Sequence, residues 1–458
     1  MIFSSLLFLF RFIPIFFILY YLSPAKIKNT TLLIGSIIFY AWGEPKFLIL
    51  IIISILVNYV FGLLIDAFSN KNILLKRISL IAAIVYDLGT LFVFKYMDFF
   101  ITNINSLFST DFKPLNLVLP LGISFYTFQI MSYIIDLYKG KIKVEKSVII
   151  LGTYLSMFPQ LIAGPIVVYS DVSERLKSRT ISLKDIEDGI ATFIIGLGSK
   201  VLIANNVGML WDDIAMVGYD KIGPFTAWLG VVAFSLQIFF DFNGYSLMAI
   251  GLGKMLGFEF PSNFNFPYIS RSLTEFWRRW HITLSTWFRE YVYIPLGGNR
   301  KGNARTYVNL FIVWFLTGFW HGAGWNFIIW GLFFFVMLVI EKSFLKPHLD
   351  KHVVFSHVYS IILIGLSWMI FAITDISSLA MYFRRLFSFG SDSNALYFIR
   401  NYGVVLVVGA LLSTPVFKGV YNKNKEKLIG VIVHLLILLM SVAYLTDATY
   451  NPFLYFRF

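Results

Sequence analysis

Two of the six histidines in the sequence, His281 and His321, lie in segments rich in tryptophan and glycine. His321 belongs to the apolar string FLTGFWHGAGWNFIIWG, whose glycines let another backbone or a ligand approach closely. A neutral imidazole can accept a proton from a substrate hydroxyl, which then attacks an activated acyl group. The chain has no cysteine and no G-x-S-x-G, P-loop or H-E-x-x-H motif, which favours direct transfer. The alternative is that His321 is a hydrogen-bonded packing residue.

The stretch around His281 is predicted to carry several polar side chains on one helical face. Glu275 and Arg279 are four residues apart, a spacing that suits an ion pair. Arg278, His281 and Ser285 follow at intervals of three and four residues, so one face would present an arginine, a histidine and a hydroxyl. The alternative is an interfacial helix with snorkelling arginines and an aromatic belt. Three tryptophans flank the face: Trp277, Trp280 and Trp287.

Two further groups of polar residues interrupt apolar runs. Asp241 and Asn243 lie in the string FFDFNGYSLMAIG. A buried carboxylate needs a partner, and we expect an arginine of the His281 stretch, in a structural ion pair. Gln129, Ser132 and Asp136 follow at i, i+3 and i+7, so this stripe is expected to face the bundle interior or a cavity. Two histidines without a spaced carboxylate or thiolate set provide too few ligands, so we predict no metal site.

The composition requires membrane helices to position these residues. The 458 residues are 58% hydrophobic, 19% aromatic and 14% charged, whereas soluble domains are about 25% charged. Such a chain has too little polar surface for a soluble fold. We therefore predict an all-α, polytopic integral membrane protein, forming one membrane-embedded domain over residues 1–458. The charge of +13 is attributed to cytoplasmic loops that face lipid headgroups, and no nucleic-acid partner is predicted.

A membrane-spanning helix needs about 20 apolar residues. Three shorter stretches, 147–168, 243–257 and 307–321, are expected to be half-crossings, re-entrant segments or kinked helices. We expect about 11–12 transmembrane helices in addition to such segments. The long runs lie at 5–22, 31–42, 46–66, 78–101, 117–138, 189–211, 223–242, 324–341, 354–374, 402–417 and 428–446.

The distribution of Lys and Arg predicts which side each loop faces. Nine of them lie in the alternate loops 23–30, 67–77 and 139–146, but only two lie in the intervening loops 43–46 and 102–116. Because basic loops stay in the cytoplasm, the N-terminus is predicted to be extracytoplasmic. Continuing along the chain places the C-terminal tail outside as well.

The strings EFWRRWHITLSTWFREYVYIPLGGNR and GFWHGAGWNFIIWG closely resemble signatures of the membrane-bound O-acyltransferase family, in its bacterial alginate O-acetylation branch. Further similar strings follow in order over most of the chain. The resemblance implies a ring of helices around a central tunnel, with His321 as the catalytic histidine and His281 as the second motif residue. It also implies acyl transfer from a cytoplasmic thioester to hydroxyls. The departures are Asn243, where the branch usually has Ser, and Leu247, where it usually has Asp.

The resemblance leads us to expect an acetyltransferase with acetyl-CoA as donor and no tightly bound cofactor. His321 would be the general base, and His281 would orient the acyl group or stabilise its oxyanion. Asp241 and Glu275 would hold arginines in place. Four basic residues would meet the phosphates of the donor: Arg278, Arg279, Arg300 and Lys301. Three tryptophans would line the tunnel: Trp277, Trp320 and Trp325.

The C-terminal tail, residues 447–458, ends in the aromatic hexapeptide FLYFRF. It is either an aromatic anchor at the membrane interface or a segment in which Tyr455 is a transient acyl carrier. The expected partners are a secreted, SGNH- or esterase-like acetyltransferase, a polysaccharide synthase complex and membrane lipid. Two other functions remain open. They are transfer of a D-alanyl or other acyl group from a carrier protein, and transport of a glycan or lipid.

Overall fold

The computed structural model describes residues 1–447, 450–452 and 454, which form two compact units. The first unit comprises Met1–Phe193 and Met248–Pro261, and the second comprises Ile194–Leu247 and Ser262–Phe458. The described residues are mainly helical and contain no strand. The prediction of an all-α membrane protein is therefore confirmed.

The first unit is built around an aromatic stack on its N-terminal helix. Phe8, Phe12, Phe16 and Tyr20 follow one another at intervals of four residues, and their rings stack at 5.5–5.8 Å between centroids. Phe158 meets the ring of Phe16 edge-on at 5.1 Å, just after a helix break at Met157. The helices are Phe8–Phe12 (π), Ile13–Leu22, Lys28–Gly43, Leu48–Phe68, Ile73–Lys95, Met97–Phe108, Ile123–Tyr138, Val148–Ser156, Phe158–Leu161 and Tyr169–Lys177, with 3-10 turns at Ala25–Ile27 and Pro45–Phe47.

The second unit contains the predicted site. Two helices, Leu183–Gly198 and Pro224–Met255, contribute residues to both units. The other helices are Ser199–Ala204 (π), Asn205–Val217, Leu273–Arg279, Ile282–Phe288, Arg289–Tyr293 (π), Gly302–His321, Trp325–Ile340, Glu341–Leu345 (π), Lys346–Lys351, Val353–Ala372, Ile376–Leu386, Ser393–Leu412, Lys418–Asn424 and Leu428–Asp447, with 3-10 turns at Pro267–Ile269 and Pro415–Phe417.

Within the described residues, eight helices are long and apolar enough to cross a membrane. This is fewer than the number of apolar runs, because some runs form short helices such as Lys28–Gly43 and Ile123–Tyr138. With 16 residues each, these two helices are about 24 Å long, less than the hydrocarbon thickness of about 30 Å. The eight are Pro45–Phe68, Ile73–Lys95, Leu183–Val217, Pro224–Met255, Trp325–Lys351, Val353–Ala372, Ser393–Leu412 and Leu428–Asp447.

Two of the three stretches predicted to be broken are continuous. Residues 243–257 mostly continue the 32-residue helix Pro224–Met255, and 307–321 belong to the helix Gly302–His321. Their glycines serve close helix packing instead of a break, as at Gly244, where an added Cβ would lie 3.0 Å from the Lys200 backbone nitrogen. Only the stretch 147–168 is interrupted, at Met157.

The helices Gly302–His321 and Trp325–Ile340 cross in close contact at a pair of glycines. A Cβ added to Gly331 would lie 3.2 Å from the Cα of Gly318 and would overlap the carbonyl oxygen of Trp314. The predicted close approach at Gly318 is therefore confirmed. Because helices in lipid associate largely through close packing of small residues, this crossing determines where His321, at the end of its helix, is held.

Replacing Gly331 by Val should lower the thermal unfolding midpoint of the detergent-solubilised protein, because the new side chain must displace backbone. Overpacking of this kind costs about 1–3 kcal/mol or more. Gly89→Val is the matched control, since a Cβ at Gly89 meets no atom within 4 Å. Equal midpoints for the two variants would contradict the crossing.

Candidate active site

His281 lies at a break between two short helices, Leu273–Arg279 and Ile282–Phe288. Its backbone is left-handed, with φ of 44°, a conformation that is uncommon for residues other than glycine. The predicted continuous face of Arg278, His281 and Ser285 is therefore wrong, because the helix axis changes at this residue. The predicted ion pair is confirmed: Arg279 Nε lies 2.9 Å from Glu275 Oε1.

The segment 263–265 holds this break in place. Asn263 is buried, its carbonyl accepts from Ile282 N at 3.0 Å, and its Oδ1 accepts from Thr283 Oγ1 at 2.6 Å. Asn265 N donates to Arg279 O at 2.9 Å. Bonds on both sides of His281 thus stabilise a strained conformation, and such strain is concentrated at functional sites.

Glu341 fixes the start of the helix that leads to the break. Its buried carboxylate accepts from Leu273 N at 2.6 Å, Thr274 N at 3.0 Å and Thr274 Oγ1 at 2.7 Å. A negative charge at a helix N-terminus also interacts favourably with the helix dipole. Sequence reasoning missed this residue, although a carboxylate at the end of the apolar run 324–341 was a signal.

The two histidines meet the same buried aromatic cluster. The ring of Trp320 lies 5.0 Å from that of His321 and 6.1 Å from that of His281, centroid to centroid. The His281 ring also meets Phe242 edge-on at 4.7 Å. Both histidines are buried. The structure therefore brings together three residues that were predicted to function together.

His321 lines a small apolar cavity. The cavity measures about 20 Å³, which is room for roughly one water-sized group. Its walls are mainly aromatic, and the ring of Trp330 meets that of His321 edge-on at 5.0 Å. The other lining residues are Ile238, Asp241, Phe242, Trp280, Trp368, Phe371 and Leu454.

A larger cavity of about 170 Å³ lies along the helix that ends at His321. Trp277 and Ser285, both predicted to bind the donor or line the tunnel, belong to its wall. The helix Gly302–His321 contributes residues spaced by three and four, so they share one face, and a further step of four from Thr317 reaches His321. The remaining wall residues are Leu284, Phe288, Arg289, Tyr293, Leu310, Val313 and Trp314.

The predicted basic residues lie in two places. Arg300 and Lys301 are exposed just before the helix Gly302–His321. Its 20 residues separate them from His321 by about 30 Å. Arg278 is exposed beside the break, while Arg279 is bound to Glu275 and donates to Asn265 O at 3.0 Å.

The predicted partner of Asp241 is wrong. Its Oδ1 lies 2.7 Å from Nζ of Lys200, and both side chains are almost fully buried. An arginine of the His281 stretch was expected because those arginines are numerous. Lys200 was overlooked, although a lysine inside the apolar run 189–211 indicates an intramembrane partner.

Three other predicted residues have different outcomes. Trp325 is 55% exposed and is not among the residues that line the two cavities described above, so its tunnel-lining role stays a prediction. Asn243 is half-buried on the helix of Asp241. Tyr455 lies outside the described residues.

In the first unit, the predicted stripe of Gln129, Ser132 and Asp136 is buried. Asp136 Oδ1 lies 3.4 Å from Lys141 Nζ at the end of the helix. The interior location is therefore confirmed. The whole helix is enclosed, however, since nearly all of its residues are buried.

Burial lowers the pKa of His281, which lies outside the eight candidate spans, to about 3. The cause is desolvation, which penalises the charged imidazolium. The ring is therefore neutral near pH 7. A neutral ring with such a low pKa is a weak proton acceptor, but it still offers one N–H donor.

Comparison with known proteins identifies the family of the chain. A profile of the membrane-bound O-acyltransferase family matches residues 147–383. The chain is 39% identical to the probable alginate O-acetylase AlgI of Pseudomonas putida, over the full length of both proteins. The chain belongs to the membrane-bound O-acyltransferase family and is an O-acyltransferase.

Other relatives are named for different activities. The peptidoglycan O-acetyltransferase of Helicobacter pylori is 36% identical, covering 82% of this chain and 78% of its own. The teichoic acid D-alanyltransferase of Streptococcus thermophilus is 32% identical over 49% of this chain and 57% of its own. Similarity to the O-acetylating relatives thus extends over more of the chain.

Replacing Glu341 by Ala should destabilise the segment that carries His281, because three donors lose their acceptor. Loss of hydrogen bonds to a buried charged group costs about 1.5–3 kcal/mol each. The expected result is a lower thermal midpoint together with reduced acyl transfer. Glu290→Ala, at a half-buried carboxylate, is the control. A midpoint unchanged by Glu341→Ala would disprove the anchoring role.

Proposed function

We propose that this protein moves an acetyl group from acetyl-CoA, on the cytoplasmic side, towards an extracellular polysaccharide that becomes O-acetylated. The observation that carries the proposal is the cavity lined by His321, next to the aromatic cluster shared with His281. In this scheme His321 is the general base. No tightly bound cofactor is needed, because the thioester already activates the acyl group.

The size of the His321 cavity supports a small acyl group. A space of about 20 Å³ has room for about one water-sized group, so even an acetyl group requires the side chains of the wall to move, and a larger acyl group requires a larger and more costly displacement. The walls also exclude water, which would otherwise compete with the hydroxyl acceptor for the thioester.

The two histidines have different roles in this proposal. His321 takes the proton of the attacking hydroxyl. His281 stays neutral, because burial lowers its pKa, and its N–H donates to the oxygen that becomes negative in the tetrahedral intermediate. The segment 263–265 holds the backbone that carries this donor, which favours the preorganisation that an oxyanion site requires.

The donor route follows the helix Gly302–His321. Arg300 and Lys301, exposed at its start, bind the phosphates of acetyl-CoA. The cavity of about 170 Å³, with Trp277 and Ser285 in its wall, accepts the less polar arm of the donor. We assign this entrance to the cytoplasmic side, because loops rich in Lys and Arg tend to stay in the cytoplasm.

Tyr455 is the proposed first acceptor, since the described residue before it, Leu454, lines the His321 cavity. A phenol has a pKa of about 10 and is a poor nucleophile without a base. His321 removes the phenol proton, the phenolate oxygen attacks the thioester carbonyl, and the C–S bond breaks. The thiolate of CoA leaves and takes the proton. A secreted, esterase-like transferase then moves the acetyl group from the tyrosine to the polysaccharide.

The proposed arrangement places both the N-terminus and the tail outside the plasma membrane. A polysaccharide synthase complex supplies the acceptor polymer there, and membrane lipid surrounds the helices. The names of the O-acetylating relatives support an extracellular polymer as the final acceptor.

One relative supports an alternative acyl group, D-alanine. Because a teichoic acid D-alanyltransferase is among the relatives, transfer of D-alanine from a carrier protein is the alternative. Solubilised protein should consume labelled acetyl-CoA and not a D-alanyl carrier thioester. The reverse preference would favour the alternative, and transport of a glycan without consumption of either thioester would indicate a transporter.

Replacing His321 by Ala should lower acetyl transfer from acetyl-CoA by about 100-fold or more, because the general base is lost. Expression and thermal midpoint should remain near those of the parent. The control is His348→Ala, at an exposed histidine. If His321→Ala retained transfer while the protein folded normally, its role as base would be excluded.

Replacing Tyr455 by Phe should abolish acetylation of the polymer, since the ring remains but the acceptor oxygen is gone. Mass spectrometry of the parent should find an acetyl group on the C-terminal peptide, and this signal should be absent in the variant. Tyr444→Phe, at an exposed tyrosine of the last helix, is the control. Unchanged polymer acetylation in Tyr455→Phe would refute the carrier role.

A further inference from the structure

The ion pair between Lys200 and Asp241 lies in the middle of two candidate spans. Lys200 Nζ and Asp241 Oδ1 are 2.7 Å apart, and the side chains are only 2% and 3% exposed. Taking two charges out of water costs desolvation free energy. The attraction between the two charges offsets this cost only when other hydrogen bonds satisfy the remaining donors and acceptors. The partners that supply those bonds therefore indicate what the pair does.

The C-terminal tail supplies bonds to both charges. Lys200 Nζ donates to the carbonyl oxygen of Pro452, and Asp241 Oδ2 accepts from Leu454 N at 2.9 Å. Lys200 Nζ also donates to Asn205 Oδ1 at 2.7 Å. Two backbone groups of the tail, two residues apart, thus meet the two opposite charges of one pair.

Neighbouring polar side chains continue the same contact. Asn205 Nδ2 donates to Asn451 Oδ1 at 3.2 Å, and Tyr450 Oη donates to Asp212 Oδ2 at 2.6 Å. Tyr450, Asn451 and Pro452 contact Asp212, Asn205 and Lys200, in that order. The residue numbers of the partners therefore fall as those of the tail rise. The tail therefore runs antiparallel to this helical segment, and each of these three tail residues contacts it.

The tail leads from these contacts into the His321 cavity. Leu454 is 5% exposed and lines the cavity together with His321 and Asp241. Asp241 therefore contacts the tail backbone at the cavity wall. The ion pair therefore bonds not only to Asn205 of a neighbouring helix but also to a tail segment that lines the cavity of the candidate base.

We propose that Lys200 and Asp241, with Asn205 and Asp212, form a binding site for residues 450–452 and 454 of the chain itself. We call these four side chains the tail site. The tail site holds Leu454 at the His321 cavity, so Lys200 and Asp241 are positioning residues for acyl transfer. The positioning role rests on the proposed function, whereas the docking of the tail does not.

The absence of cysteine from the chain provides a direct test. Leu454→Cys creates a single thiol whose backbone N–H can still bond to Asp241. Its reaction rate with a maleimide is measured in solubilised full-length protein. Asp447→Cys, at an exposed end of the last helix, reports the rate of a fully accessible thiol.

The tail site is then removed by Lys200→Met together with Asp241→Leu. Replacing both charges avoids an unpaired buried ion, which is the usual cause of misfolding in such variants. We expect the Leu454→Cys thiol to react about tenfold faster or more, because charge-assisted bonds to the tail are lost. Asn58→Leu with Asp87→Leu, which removes a buried hydrogen-bonded pair of the first unit, should leave the rate unchanged.

A second variant avoids any change in the helices. Tyr450→Phe with Asn451→Ala removes two tail contacts and leaves the ion pair intact, so the labelling rate should rise by a smaller factor. If both sets of variants leave the rate at the parent value, the tail site is disproved. A folded parent-like elution profile is required of each variant.

Docking of the tail and the positioning role are separated by measuring acetyl transfer in variants that lack the Leu454→Cys substitution. Faster labelling with a strong loss of transfer in Lys200→Met/Asp241→Leu supports docking and positioning together. Faster labelling with full transfer would overturn the positioning role. If Tyr455→Phe retains transfer while labelling still responds to the tail-site variants, the carrier function fails and the docking site stands.

Discussion

The second unit depends on one constraint: a charge at membrane depth must find its partners inside the protein. Lys200 and Asp241 meet this constraint by pairing at 2.7 Å, which joins two long helices at a fixed register. Breaking such a pair from one side costs about 3–5 kcal/mol. Because Asp241 also lines the His321 cavity, the same interaction that makes the helices compatible with lipid also fixes one wall of the candidate site.

The same constraint explains how the chain can interrupt a helix beside the candidate site. A break exposes backbone donors and acceptors, and at His281 these are satisfied by Asn263 and Asn265. Glu341 satisfies the donors at the start of the preceding helix. The backbone that carries the imidazole of His281 is therefore held by hydrogen bonds on both sides of the break.

Local patterns in the sequence predicted the membrane class and the Glu275–Arg279 pair, because each depends on composition or on neighbours within one helical turn. The failures arise from long-range contacts. The partner of Asp241 is 41 residues away at Lys200, and its tail partner Leu454 is 213 residues away. The break at His281 depends on the separate segment 263–265, so helical spacing alone predicted a continuous face there. Glycines predicted to break helices instead allow close crossings, which only the neighbouring helix reveals.

The composition of the cavity wall bears on why an acyl group would pass through this site. A transferase has to keep water from the thioester, since water can accept the acyl group in place of the intended hydroxyl. Apart from His321 itself, the cavity wall is aromatic or aliphatic except for Asp241, and Asp241 is already bonded to Lys200 and to Leu454 N. Little polar surface is left to hold water there. This wall suits the proposal that the acceptor hydroxyl is carried by the protein itself and does not come from a solvent-filled channel.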